Sequence, residues 1–239
     1  MKIKTDLGYY EFKALLGEAK SNSDPIWCRF LFRPLSFPFG WLLYKTGLKA
    51  NSISMLSILL AIASSFFMVF GNSQDIVFAS FLMLLVAFTD CIDGNVARAR
   101  GETGPGGEWM DALSGYTVYA LLPLSIGIHL SSHTSFEELS QFWIIVGAVT
   151  SISNLFLRLL YQKFVNSIPN KSATNEFKGS GSLISKFSSE MGLVGWMMPA
   201  LLASSIINML ELYLVFYCFF YLISAVIITI VLARRVDSL

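Results

Sequence analysis

Six runs of predominantly apolar residues, each about twenty long, constrain this chain more than any other feature: Ile53–Gly71, Ile76–Val96, Met110–Leu130, Leu139–Phe164, Gly192–Leu210 and Leu212–Ala233. A hydrocarbon core of about 30 Å is crossed by roughly 20 helical residues, so each run is long enough to span a bilayer. Lipid offers no partner to an unpaired peptide group, and runs of this length satisfy their own backbone only as helices. Composition agrees, since 54% of the residues are hydrophobic and 14% are charged, against about 25% charged in soluble domains. The expected fold class is all-α, a polytopic membrane protein of six transmembrane helices.

The connections Asn72–Asp75 and Ser131–Glu138 and the turn at Glu211 contain no Lys or Arg, so all 17 basic residues lie elsewhere. By the positive-inside rule the N-terminus, the Arg98–Arg100 hairpin, the Lys163–Glu190 connection and the Arg234–Arg235 tail are cytoplasmic. The expected location is a bacterial inner membrane, with both termini on the cytoplasmic side. A net charge of +1 without a basic stripe gives no reason to expect a nucleic-acid partner. No basic n-region leads into an apolar h-region, so the first span is expected to serve as an uncleaved insertion signal. Cys28, Cys91 and Cys218 have neither disulfide nor zinc spacing and read as small apolar fillers.

Residues 1–50 read as a cytoplasmic segment ahead of the six-helix domain, 51–239. Asp24-Pro25 is a helix start signal. After it Ile26, Trp27, Phe30, Leu31, Leu35, Phe39, Leu42 and Leu43 recur at roughly helical spacing, with Arg29, Arg33 and Lys45 between them. The pattern predicts an amphipathic helix lying at the cytoplasmic interface, or else a linker collapsed onto the bundle, with Pro34 and Pro38 bending or interrupting it. Asn166–Ser189 lacks apolar periodicity and reads as a flexible loop with a short helix near Leu183–Phe187. Asn170-Lys171-Ser172 within it matches a glycosylation acceptor, which a cytoplasmic position discounts. Pro123 and Pro199 fall inside predicted spans and are expected to kink them.

Asp90, Asp93 and Asp111 sit at or inside the ends of apolar runs. An Asp at mid-span costs roughly 2.5–3.5 kcal/mol, less near the interface, so three in one region call for a compensating partner. A divalent cation is one. Asp90, Asp93 and Ala97 share a helix face, Gly107, Asp111 and Gly115 share one on the next helix, and a short hairpin joins them. Ala and Gly on those faces leave room for a ligand, and carboxylates are hard donors suited to Mg²⁺ or Mn²⁺.

Asp90-x-x-Asp93-Gly94-x-x-Ala97-Arg98, followed after eight residues by Gly107-x-x-x-Asp111, resembles the signature of the CDP-alcohol phosphatidyltransferase family. Asn51-Ser52-Ile53-Ser54 is similar to the family's motif ahead of its first span. The resemblance implies six spans, an N-terminal amphipathic helix and a cytoplasmic-facing site between the second and third spans. It also implies cleavage of a CDP-linked donor, transfer of its phospho group to an alcohol acceptor with release of CMP, and a homodimer. It assigns Asp90, Asp93 and Asp111 to metal ions, and Gly94, Ala97 and Gly107 to close approach of the nucleotide. Asp90, Asp111 and Arg98 complete the implied CDP/CMP contacts, with Arg98 at the nucleotide end.

One position departs from the pattern. The family expects a fourth Asp, both metal ligand and base, where this chain has Gly115. Glu108 and Glu102 are the nearest substitute bases. Arg158, inside the fourth span near its cytoplasmic end, either holds an acceptor phosphate or snorkels to the interface. Two other readings remain open: a catalytically silent relative that binds a CDP compound or partners an active homologue, and a small ion transporter. The second fits less well, because the charges cluster at one edge and no repeat is visible.

Overall fold

The computed structural model describes residues 6–15, 24–134, 137–167 and 183–236. The Asn170-Lys171-Ser172 motif and most of the expected 166–189 loop lie outside the described residues. Among those described there is no strand. The helices are α1 (Tyr9–Ala14), α2 (Arg33–Lys45), α3 (Ala50–Phe70), α4 (Ser73–Arg100), α5 (Pro105–His133), α6 (Glu137–Ser167), α7 (Leu183–Glu190), α8 (Met198–Ile206) and α9 (Leu210–Val236). Five of them, α3, α4, α5, α6 and α9, are long and apolar enough to cross a bilayer.

Local chemistry sets the ends that matter. Asn72 opens α4 through a reciprocal cap, its side chain accepting from Gln74 and Asp75 while Asp75 accepts from the Asn72 amide at 2.9 Å. Gly101 closes α4 in the left-handed conformation, φ 67°. Pro105 then starts α5 in its first turn, where a missing N–H costs nothing. The hairpin between them is thus four residues long, Gly101–Gly104.

The predicted span Gly192–Leu210 is not one continuous helix. A π-helical turn, Leu193–Met197, precedes α8, and Gly195 inside that turn has non-helical φ −94° and ψ −128°. A Cβ on Gly195 would run into the Glu190 carbonyl. Pro199, expected to kink a span, instead sits in the first turn of α8. At nine residues α8 alone is too short to span.

Two helices form the centre. In the apolar windows of α4 and α5 56% of residues are buried, against 22% in α9, so α4 and α5 are central and α9 is peripheral, giving one face with Tyr213, Leu214, Tyr217 and Tyr221 to the core. The helix α4 packs on α3, α2 and α8, α5 packs on α3 and α6, and α6 packs on α9. Although consecutive in sequence, α4 and α5 barely touch, because α3 lies against both. Space is left between the C-terminal end of α4 and the N-terminal end of α5. At the far end α5 and α6 approach closely through glycines: a Cβ on Gly147 would stand 2.6 Å from the Pro123 carbonyl, and one on Gly127 would stand 2.5 Å from that of Trp143.

The N-terminal helix is inverted relative to a soluble amphipathic helix. Ile26, Phe30, Leu31, Leu35, Phe39 and Leu42 are exposed, while Arg33, Ser36, Phe37, Gly40 and Tyr44 are buried against the bundle. An apolar face turned outward suits a bilayer interface. Pro34 does not interrupt this helix. A π-helical turn, Cys28–Phe32, precedes it and moves the Arg33 amide to the Cys28 carbonyl, which relieves the proline clash. Glu190 caps the helix start by accepting from the Ile26 amide at 3.0 and 3.2 Å.

Candidate functional site

The C-terminal third of α4 and the first turns of α5 face each other across a cavity of about 620 Å³. Asp90, Asp93, Gly94, Ala97, Arg98, Glu102, Gly107, Glu108 and Asp111 all line it. Every signature position read from the sequence therefore meets in one place, because α4 and α5 splay apart instead of closing on each other. Asp93 is buried at 8% exposure, and its Oδ2 accepts from Ser54 Oγ at 2.7 Å. Asp90 and Asp111 line the same cavity from the two opposing helices.

Among the described residues no basic side chain forms an ion pair with any of these three carboxylates. Hard oxygen donors left without a counter-ion fit Mg²⁺ or Mn²⁺ in chemistry. They are not gathered onto a single point: among the described residues no three His, Cys, Asp or Glu stand close enough together to hold a metal ion.

The small residues divide in role. Gly94 lies beneath Arg98, whose Nη1 and Nη2 would stand 3.5 Å from a Cβ added there. The guanidinium therefore covers the helix at that point. Gly107 is tighter, since its Cβ would meet the Glu102 carbonyl at 3.1 Å. Glu102 is already engaged: its Oε2 accepts from the Ala50 amide at 3.1 Å and caps α3. Glu108, exposed on the cavity wall, has no side-chain partner among the described residues.

Arg33 and Asn95 belong to the same place, and only the tertiary structure shows it. Arg33 lines the cavity from the N-terminal helix and is 7% exposed. Its Nε donates to Asp24 Oδ2 at 2.9 Å, its Nη2 pairs with the same oxygen at 2.9 Å, and its Nη1 donates to Asn95 Oδ1 at 3.1 Å. Burial works against this charge, but Cys91, Cys28 and Asp24 more than offset it and hold the Arg33 pKa above its ordinary value. Read as one of several interspersed basic residues, Arg33 looked like an interfacial anchor. A signal was present nonetheless, for Arg33, Ser36, Phe37, Gly40 and Tyr44 form their own helical stripe beside the apolar one. The cysteines are also less scattered than their spacing suggested, since the sulfurs of Cys28 and Cys91 are 3.4 Å apart.

Arg158 and Gly115 lie in a second cavity of about 380 Å³, lined in addition by Asp90, Asp111, Tyr116, Tyr119 and Ser188. The Arg158 guanidinium stacks 3.7 Å from the Tyr119 ring centroid and its Nε donates to Asn154 Oδ1 at 2.9 Å. Its side chain is thus held inside the bundle. Asp90 and Asp111 line both cavities and form the wall they share.

A search among curated proteins gives no match. The sequence profile of the CDP-alcohol phosphatidyltransferase family matches residues 48–233, a stretch that covers α3 to most of α9 and both helices carrying the carboxylates. This membrane-spanning helical chain, with its carboxylates and arginine on one cavity, belongs to the CDP-alcohol phosphatidyltransferase family.

Proposed function

We propose that the protein cleaves a CDP-linked donor, CDP-diacylglycerol or another CDP-alcohol, and transfers the substituted phosphate to an alcohol acceptor with release of CMP. The product would belong to phospholipid, glycolipid or polysaccharide synthesis. The observation that carries this reading is the shared wall: substrates seated in the 620 Å³ and 380 Å³ cavities would meet at Asp90 and Asp111. Family membership supports the reaction class, and the family is in general dependent on a divalent metal.

In this reading Asp90, Asp93 and Asp111, which share one cavity without meeting at a single point, are the residues that would hold Mg²⁺ or Mn²⁺. Such an ion would supply charge neutralisation for the donor diphosphate and for the transferred phosphoryl group. Arg98 binds the nucleotide end, with Ala97 and Gly107 keeping the wall low. Arg158 binds an anionic group of the acceptor from the second cavity. The acceptor oxygen attacks the phosphorus distal to cytidine, the bond from that phosphorus to the CMP oxygen breaks, and CMP leaves with the electron pair. The acceptor proton goes to a base. Glu108 is favoured over Glu102 for that role, because a proton on Glu102 would weaken its cap on Ala50. The termini and the site face the cytoplasm, and the exposed apolar face of α9 meets lipid or a second copy in a homodimer.

Gly115 favours one other reading, a silent relative that binds a CDP compound without turnover, since no side chain enters the second cavity at that position. The deciding experiment incubates purified protein with Mg²⁺ or Mn²⁺ and a panel of CDP donors and alcohol acceptors, and follows CMP. Metal-dependent CMP release with at least one pair is expected. Binding of CDP compounds without release under any combination would leave the silent reading in its place.

A further inference from the structure

One cavity-lining arginine stands outside the stretch that matches the family. The match begins at residue 48, and Arg33 belongs to the helix before it. We propose that Arg33 is a phosphate-binding residue of the nucleotide site, so that the N-terminal amphipathic helix forms part of the substrate site as well as facing the membrane surface. This rests on the reading of the larger cavity as the place of a CDP-linked donor.

Charge is the first argument. Arg33 Nη1 and Arg98 Nη2 converge on the same neutral acceptor, Asn95 Oδ1, at 3.1 and 2.7 Å. The amide is held with its oxygen toward both arginines, because Asn95 Nδ2 donates to Ser36 Oγ at 2.9 Å. Two guanidiniums that share one oxygen repel each other. Only Arg33 has a carboxylate in contact, Asp24, whereas Arg98 makes no ion pair among the described residues. The pair thus carries one positive charge in excess on the wall of a cavity whose other side bears carboxylates. A diphosphate held through a divalent cation on the carboxylates would present its remaining oxygens to these arginines.

Donor geometry is the second. A guanidinium offers five N–H groups. Asp24 engages Nε and Nη2, and Nη1 points to Asn95 and, at 3.4 Å, to the Cys91 carbonyl. One Nη2 hydrogen of Arg33 remains, and Arg98 Nη1 has no acceptor among the described residues. Arg33 is also anchored in place: Glu190 holds the start of its helix, and Arg100 Nη2 donates to the Tyr44 carbonyl near its end at 2.8 Å. Such a fork is ordered before ligand arrives.

The test measures binding of CDP and of CMP, each with MgCl₂, to the full chain by titration calorimetry, beside thermal unfolding without ligand. Arg33→Gln should bind roughly 10- to 100-fold more weakly. Asp24→Asn keeps the shape and frees the arginine charge, so it should bind more tightly than the parent. Both variants break a buried pair and should unfold at lower temperature than the parent. A purely structural role for Arg33 would lower stability and affinity together in both, and that outcome overturns the inference. If Arg33→Gln does not fold, Asp24→Asn decides alone: tighter binding supports the proposal, and unchanged or weaker binding overturns it. A parent that binds neither nucleotide overturns the proposed function along with this inference. A parent that binds, with Arg33→Gln binding equally well, overturns this inference only.

Discussion

Packing does not require a glycine at 115, since a Cβ there would stand 3.6 Å from Tyr119 Cε2, an ordinary contact. Gly115→Asp is therefore expected to fold, with stability lower than the parent without a divalent cation, because its carboxylate would join Asp90 and Asp111 at the second cavity. A well-placed general base contributes about 10²–10⁴-fold to a rate, so Glu108→Gln should lower CMP release by about 10²-fold or more with nucleotide binding intact. Equal release by Glu108→Gln and the parent would remove Glu108 from the reaction. An inert parent beside an active Gly115→Asp would establish the silent reading. At this scale the carboxylates were legible in the sequence because Asp is costly in an apolar run, so three together stand out. Arg33 was visible only as one member of a second helical stripe, because an arginine beside a membrane is unremarkable by type and its contact with Asn95, 62 residues away in sequence, is tertiary.

Among the elements, the close crossing of α5 and α6 depends on two glycines whose Cα atoms face each other. Gly147→Leu would push side-chain atoms into the Pro123 carbonyl and the Gly127 backbone. Overpacking of this kind costs about 1–3 kcal/mol, so the variant should unfold at lower temperature in detergent. An unchanged unfolding midpoint would show that the helices part there without cost. The hairpin ends follow from local backbone preference at Gly101 and Pro105, whereas hydropathy alone ended the flanking spans short of them, at Val96 and Met110. The break at Gly195 was not readable in advance, since apolarity continues through it and the cause is contact with the Glu190 carbonyl. Continuity of the N-terminal helix past Pro34 was hidden for a related reason, because a π-helical turn leaves no mark in hydropathy.

For the whole molecule the proposed topology puts Ser132, exposed near the end of α5, on the side opposite the carboxylates. In intact cells Ser132→Cys should react with a membrane-impermeant thiol reagent without permeabilisation. Reaction only after the cytoplasmic face is opened would refute the orientation. Apolar run length by itself determined that this chain is a helical membrane protein, because transfer into lipid depends on composition summed over about twenty residues and not on neighbours in space. Spacing within one helix likewise determined which carboxylates share a face. Whether those faces meet was decided by tertiary structure: α3 lies against both α4 and α5 and keeps them apart, which opens the cavity between their ends. The same packing joins the first cavity to a second through Asp90 and Asp111 and brings in an arginine from outside the matched stretch. Contacts of that kind arise between residues far apart in the chain, and neither periodicity nor local propensity encodes them.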